Sequence, residues 1–331
     1  GQMIKPPLPL AQAAHWMTSF VNPNNHALDG GRATSALELE TIAALGTMVG
    51  YSKPLGHLTS GGTTANLEAL WVARQSDAKT IILANEHAHY THSRMSEVLG
   101  IPFQAIASTE NGSMTLTVLE GVLKQNHSKG VKGTIVVTLG TTGMGAVDPL
   151  EDIVPLARAY DARIHVDAAY GGYFTLANLP KEVQRHFTAM AAADSIVIDP
   201  HKHGLQPYGC GAVLFKNPEE GRFYKHDSPY TYFTSDQLHL GEITLECSRA
   251  GAAAAALWAT QNKFPYVRSG NFALRLNASL AAAQGLKNRL ITEGWWVLEP
   301  ELDICVFSLS GLKASEISAK NRAMFEQKTE E

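Results

Sequence analysis

The chain has 331 residues, 45% hydrophobic and 18% charged, with a formal net charge of −4. That length carries one large or two modest domains with a real core. The mild acidity gives no footing for a nucleic-acid or membrane-surface partner.

Cys210, Cys247 and Cys305 are widely spaced with no CxxC pair. This fits a reducing, cytoplasmic setting and argues against a disulfide framework or a zinc site. No apolar run reaches the roughly 20 residues of a membrane span. The N-terminal stretch "GQMIKPPLPLAQAAHW" has no basic region before an apolar core, so no signal peptide is read.

Residues 1–35 are rich in Pro and Asn and are expected to be irregular. Thr34 or Ser35 is a candidate cap for the helix "ALELETIAALGTMVG". "GHLTSGGTTANLEALWVARQ" is a glycine pair followed by a helix pattern. Residues 80–85 read as a short buried strand, "SRMSEVLG" as a helix end and 133–140 as a strand. Residues 148–161 read as a helix with Pro149 in its first turn. Residues 163–170, 195–200 and 211–216 are further strands, and "WWVLEP" and "DICVFSLS" look like strands of a second, smaller unit. Val- and Ile-rich strands separated by helices predict an α/β fold with a mostly parallel sheet covered on both faces.

Ligands of such sheets sit beyond the carboxyl ends of the strands. There stand "EHAHYTHS", "GTTGMG", Asp167 with Ala168-Ala169-Tyr170, and the run Asp199-Pro200-His201-Lys202, while "SGGTT" opens a helix. Each has an ordinary reading: a tight turn, a capped acid, a surface lysine, a packed histidine, and for Cys210 a small core residue. Together they match the needs of one cofactor. Pyridoxal phosphate takes a lysine for its aldehyde, a carboxylate for its ring nitrogen, a phosphate cradle and a flat group over its ring. Lys202, Asp167, the Gly62/Thr63 turn and His89 supply these in order.

The stretches "TSGGTTANLEALWVAR", "EHAHYTHSRMSEVLG", "VVTLGTTGMGAVDPLEDI", "RIHVDAAYGGYF", "ADSIVIDPHK" and "LECSRAGAAAAALW" resemble the group II pyridoxal-phosphate-dependent amino-acid decarboxylases, in that family's order. This is the group of glutamate, tyrosine and aromatic-amino-acid decarboxylases. "DPHKHGLQPYGCG" is closer to its bacterial and archaeal members than to the "NPHK" of animal enzymes.

The resemblance implies an aspartate-aminotransferase-like fold of type I, with a seven-stranded sheet. Residues 1–50 would be an N-terminal segment, 51–260 the cofactor domain and 261–331 a smaller α/β domain. That last part is shorter than the family's, and "SLSGLKASE" reads as a join between stretches that are not neighbours in the whole protein. The resemblance further implies a homodimer and decarboxylation of an L-amino acid to an amine. Lys202 would carry the cofactor covalently, Asp167 would pair with the ring nitrogen and His89 would stack on the ring, with His87 and His92 as rivals. Gly62, Thr63, Thr142, Ala169 and His201 would be further cofactor contacts. Tyr230, with Tyr232 as runner-up, would be the loop acid that reprotonates the substrate carbon. Arg249 matches a family arginine of unassigned role.

The substrate stays open. Arg32 near the pocket would favour an acidic amino acid; Tyr170, Tyr173 and Phe174 would favour an aromatic one, unless they are core. Rival readings are an aminotransferase, a lyase or an aldehyde-forming enzyme on the same scaffold, a non-catalytic relative, and a metal site built from the histidines of "HAHYTH".

Overall fold

The computed structural model describes residues 3–26, 28–225 and 244–329. The chain runs α1 (Pro9–Ser19), α2 (Leu28–Val49), β1 (Leu55–Thr59), α3 (Gly62–Ser76), β2 (Ile81–Asn85), α4 (Thr91–Leu99), β3 (Phe103–Ile106), α5 (Leu116–Ser128) and β4 (Gly133–Thr138). It continues through α6 (Leu150–Ala159), β5 (Arg163–Asp167), α7 (Lys181–Thr188), β6 (Ser195–Ile198) and β7 (Gly211–Phe215). α8 (Ala252–Lys263), α9 (Asn271–Thr292), β8 (Trp295–Val297), β9 (Phe307–Leu309) and α10 (Ala314–Thr329) complete it.

Seven strands form one sheet in the order β1-β7-β6-β5-β4-β2-β3. Adjacent strands from β6 to β3 are parallel, while β7 is antiparallel to both β6 and β1. The expected mostly parallel sheet is therefore present. β8 and β9 pair separately as an antiparallel hairpin.

Side-chain alternation explains why the central strands are mainly apolar. Ile196 and Ile198 face one core, and Val197 between them faces another with Ala65, Ala69 and Val72 of α3. Ile135 and Val137 likewise oppose Val136, which packs with Leu70 and Met95. With both faces covered, these positions favour apolar side chains, and the polar ones among them, such as His165 and Ser195, are hydrogen-bonded to each other. Each fully buried Val or Ile contributes about 1.5–3 kcal/mol over an exposed one.

Several local expectations are corrected. Residues 9–19 form α1, not an irregular stretch: Pro9 sits where its missing N–H costs nothing, and Leu8 and Ala11 pack on Ala256 of α8. α2 starts at Leu28 and kinks at Gly31, so Thr34 lies within it. The Thr34 hydroxyl donates to Asn25 Oδ1 and Gly31 O, and neither Thr34 nor Ser35 is a cap. Pro149 precedes α6, and it is Pro155 that lies inside that helix. β1 and β3 are strands that the sequence pattern does not announce.

Candidate active site

Four strand ends and one helix start converge at the carboxyl edge of the sheet. β5 ends at Asp167, the β6 exit carries Asp199, His201 and Lys202, and the β4 exit carries Gly140 and Thr142. His89 follows β2, and α3 begins at Gly62. All of these line one cavity of about 780 Å³, together with Thr63, Ala169, Tyr90 and Tyr208. Met3 and Ile4 of the N-terminal arm form part of its wall.

The two carboxylates of this cavity are tuned in opposite directions. Asp167 lies at the last position of a buried strand. Its Oδ2 accepts from His92 Nε2 at 2.8 Å, and its Oδ1 accepts from the Ala169 N–H at 3.1 Å. Burial pushes this carboxyl up, but the His92 hydrogen bond and the charges of His92 and Lys202 outweigh it, holding Asp167 well below the usual carboxylate range. Asp199 is equally buried. Its Oδ2 lies 3.0 Å from the Lys202 Nζ, and its Oδ1 has no hydrogen-bond partner among the described residues. Here burial wins, and Asp199 is pushed above its ordinary value although Lys202 and His201 oppose the shift. Environments that separate like groups this way assign them different tasks.

The histidines also divide. His89 is half-buried, with Nδ1 2.6 Å from the Thr91 hydroxyl. Burial lowers its pKa, and Asp167 restores only part of it, so the ring is neutral at neutral pH. His201 donates from Nδ1 to Cys210 O at 2.7 Å. His165 lies behind the site, with Nε2 2.8 Å from Asn66 Oδ1 and Nδ1 2.9 Å from Ser195 Oγ. Burial pushes His165 down to about 3.

The residues present fit pyridoxal phosphate. The first turn of α3 has no side-chain cap, so its amides are available to a dianion at the positive end of the helix dipole. A Cβ at residue 62 would stand 2.7 Å from Asp199 Oδ2, so glycine keeps this approach open. Asp167, ionised and lining the cavity, suits a protonated ring nitrogen. Lys202 suits the aldehyde.

Every expected cofactor contact lines this cavity: Gly62, Thr63, His89, Thr142, Asp167, Ala169, His201 and Lys202. The rival His92 instead binds Asp167, and the rival His87 is exposed outside the lining. Tyr230 and Tyr232 lie outside the described residues. Arg32 is exposed on α2 and does not line the cavity. Tyr173 and Phe174 are core residues, while Tyr170 lines the cavity with its hydroxyl bonded to Asp303. Arg249 has a structural partner: it pairs with the buried Glu38 and donates to Leu58 O at 2.7 Å. Sequence reasoning missed the roles of Asp199 and His92. The signal for His92 was its place three residues after His89, one helical turn along.

A family model described as "Pyridoxal-dependent decarboxylase conserved domain" matches residues 9–308. A protein of Halobacterium salinarum named "Probable L-aspartate decarboxylase" is 30% identical over 308 residues, covering 92% of this chain and 81% of that protein. A "Probable L-tyrosine/L-aspartate decarboxylase" of Methanothermobacter thermautotrophicus is 27% identical, covering 87% and 77%. In fold, the crystal structure of mouse CSAD in apo form superposes with a TM-score of 0.88 at 21% identity, over 99% of this chain and 74% of that one. The chain therefore belongs to the pyridoxal-dependent decarboxylase family, and it is a pyridoxal-phosphate enzyme that removes carbon dioxide from an amino acid.

Proposed function

We propose that Lys202, Asp167 and His89 carry this decarboxylation and that the preferred substrate is an L-amino acid with an aromatic side chain. The observation that supports the site is the meeting of these three residues in one cavity with the uncapped start of α3.

When bound, pyridoxal phosphate supplies an electron sink for the pair left behind as carbon dioxide departs. The protein residues make that sink effective. Lys202 would hold the cofactor through its ε-amino group and give it up to the substrate. Asp167 stays ionised and keeps a proton on the ring nitrogen, and His92 orients Asp167. His89, flat and lining the cavity, would cover the ring near the carboxylate that leaves. The α3 amides with Gly62 and Thr63 would hold the phosphate, and Thr142, Ala169 and His201 complete the wall. Tyr230, with Tyr232 as alternative, returns a proton to the substrate carbon.

The aromatic preference rests on the wall: Met3, Ile4, Tyr90 and Tyr208 line the cavity. Among the described lining residues, Lys202 is the single Lys or Arg. A second reading, an acidic substrate, is favoured by the name of the Halobacterium relative, while the name of the Methanothermobacter relative gives both tyrosine and aspartate.

On the same reading, residues 51–260 form the cofactor unit between segments 1–50 and 261–331. A homodimer is supported by the large apolar side chains exposed near the end of α1: Trp16, Met17, Phe20 and Val21. Three free cysteines support a reducing cytoplasm. Among the described residues no helix is long and apolar enough to cross a membrane.

The test is product analysis by mass spectrometry with pyridoxal phosphate and a panel of tyrosine, dopa, tryptophan, glutamate and aspartate. An amine from one of the first three supports the aromatic reading, and an amine from aspartate or glutamate replaces it with the acidic one. An aldehyde with oxygen consumed would remove the protonating role of Tyr230. No product from any of the five would overturn both substrate readings. Lys202→Ala should abolish the visible absorption of lysine-linked cofactor; a persisting band would remove Lys202 from its role.

A further inference from the structure

Outside the cofactor contacts, a buried polar cluster that reaches the site centres on Asp303. Its Oδ1 accepts from the Tyr170 hydroxyl. Its Oδ2 accepts from His203 Nε2 at 3.1 Å, from the Lys5 Nζ at 3.2 Å and from the Ser279 hydroxyl. The Asp303 side chain is 3% exposed. Burial opposes its ionisation, but the hydrogen bond and charge of His203, with the Ser279 and Tyr170 hydroxyls, hold it well below the usual carboxylate range.

The four donors come from four places that matter. His203 is the residue after Lys202. Tyr170 lies three residues after Asp167 and lines the cavity. His203 Nδ1 donates in turn to Tyr170 O at 3.2 Å, and the two rings meet edge to face at 4.5 Å. Lys5 adjoins Met3 and Ile4, which wall the cavity. Ser279 belongs to α9.

The neighbours of Asp303 dock beside it. Glu301 Oε2 accepts from the Val147 N–H at 2.7 Å. Leu302 is 1% exposed and packs at Gly140, where a Cβ would stand 3.0 Å from both Leu302 and Tyr170. Ile304 packs at Gly145 in the same way. Gly140 and Thr142 of that loop line the cavity. Residues 301–304 thus grip the ends of β4, β5 and β6 at once.

We propose that Asp303 is a positioning residue of the decarboxylase: it fixes the backbone that carries Lys202 and Asp167 and ties the N-terminal arm down as a wall of the cavity. It touches neither cofactor nor substrate, and it acts through His203, Tyr170 and Lys5. An unpaired buried charge is costly, so the donors must gather round Asp303, and their gathering orders the strand ends.

The test compares Asp303→Ala with the parent for cofactor affinity, by absorbance titration with pyridoxal phosphate, and for kcat and KM on the substrate found by the panel above. With the fold intact by circular dichroism, cofactor affinity should fall at least threefold and kcat at least tenfold. Asp303→Asn keeps one carbonyl acceptor and should recover part of the affinity. Lys5→Gln frees the arm alone and should raise KM more than it lowers kcat. A folded Asp303→Ala with cofactor affinity changed less than threefold overturns the proposal. If Asp303→Ala does not fold, Tyr170→Phe, which removes one hydroxyl, decides by the same threefold threshold. The turnover readings rest on the proposed substrate class; the cofactor titration does not. Should no amino acid be a substrate, the titration alone still supports or sinks the role of Asp303.

Discussion

His92 donates its Nε2–H to Asp167 across 2.8 Å, although 75 residues separate them in the chain. The His92 side chain is 1% exposed and that of Asp167 7%. The contact does what a free strand-end aspartate cannot do. It helps hold the carboxylate ionised against the burial that pushes it toward its neutral form.

His92→Phe keeps the shape and removes the donor. The Asp167 pKa should rise and kcat should fall at least roughly tenfold, since one pKa unit corresponds to about 1.4 kcal/mol. The pH–rate profile should lose activity on its acid side first, as Asp167 protonates at a higher pH than in the parent. An unchanged profile would show that Ala169 and Lys202 suffice to hold Asp167.

The two cavity carboxylates should respond differently to amidation. Asp167→Asn removes the charge proposed to keep the ring nitrogen protonated and should lower kcat by roughly 10² or more. Asp199→Asn removes a carboxylate that burial already biases toward its neutral form, and should cost less than tenfold. Steady-state kinetics on the two variants checks this; equal losses would contradict the division of roles.

Arg249 is a stability residue on this geometry. Glu38 accepts from it, from the Leu58 N–H at 2.9 Å and from Asn25 Nδ2. Arg249→Met leaves Glu38 buried without its cation, at a cost of about 3–5 kcal/mol. Urea unfolding should show a clear drop in midpoint. The double variant Glu38→Gln/Arg249→Met should be more stable than Arg249→Met alone, and failure to recover would mean that Arg249 acts elsewhere.

Stability should fall on acidification through His165. Its folded pKa is about 3 against an ordinary 6.5. Between these values the unfolded ring binds a proton and the folded ring does not. The contribution is therefore complete above about pH 6.5 and is lost as the pH falls towards 3. It amounts to on the order of 4 kcal/mol. His165→Asn cannot titrate, so the difference in stability between parent and variant should shrink from pH 7 to pH 4. A constant difference in denaturant midpoints would sink this assignment.

The chemistry was legible because each of its groups ends a strongly patterned segment. Asp167 ends one Val- and Ile-bearing strand, Lys202 follows another, and the Gly61–Gly62 pair opens a helix, so elementary sheet geometry brings them to one edge. β1 and β3 were not legible. "LGHLT" and "FQAI" are four or five residues long and hold few β-branched side chains, so only their pairing with β7 and β2 makes them strands. α1 hid behind its prolines for a similar reason: its helix is stabilised by packing on α8.

The sequence by itself determined the α/β class, the cofactor and the set of residues that gather in one cavity, because these depend on local pattern and on the fixed geometry of parallel sheets. Only the tertiary structure decided which charges support which. His92 with Asp167, Arg249 with Glu38, and His203 with Asp303 join positions 75, 211 and 100 residues apart. No local periodicity records such pairs. The reason is energetic: a buried charge needs a partner within hydrogen-bond reach, and the closed fold alone determines which residue stands there.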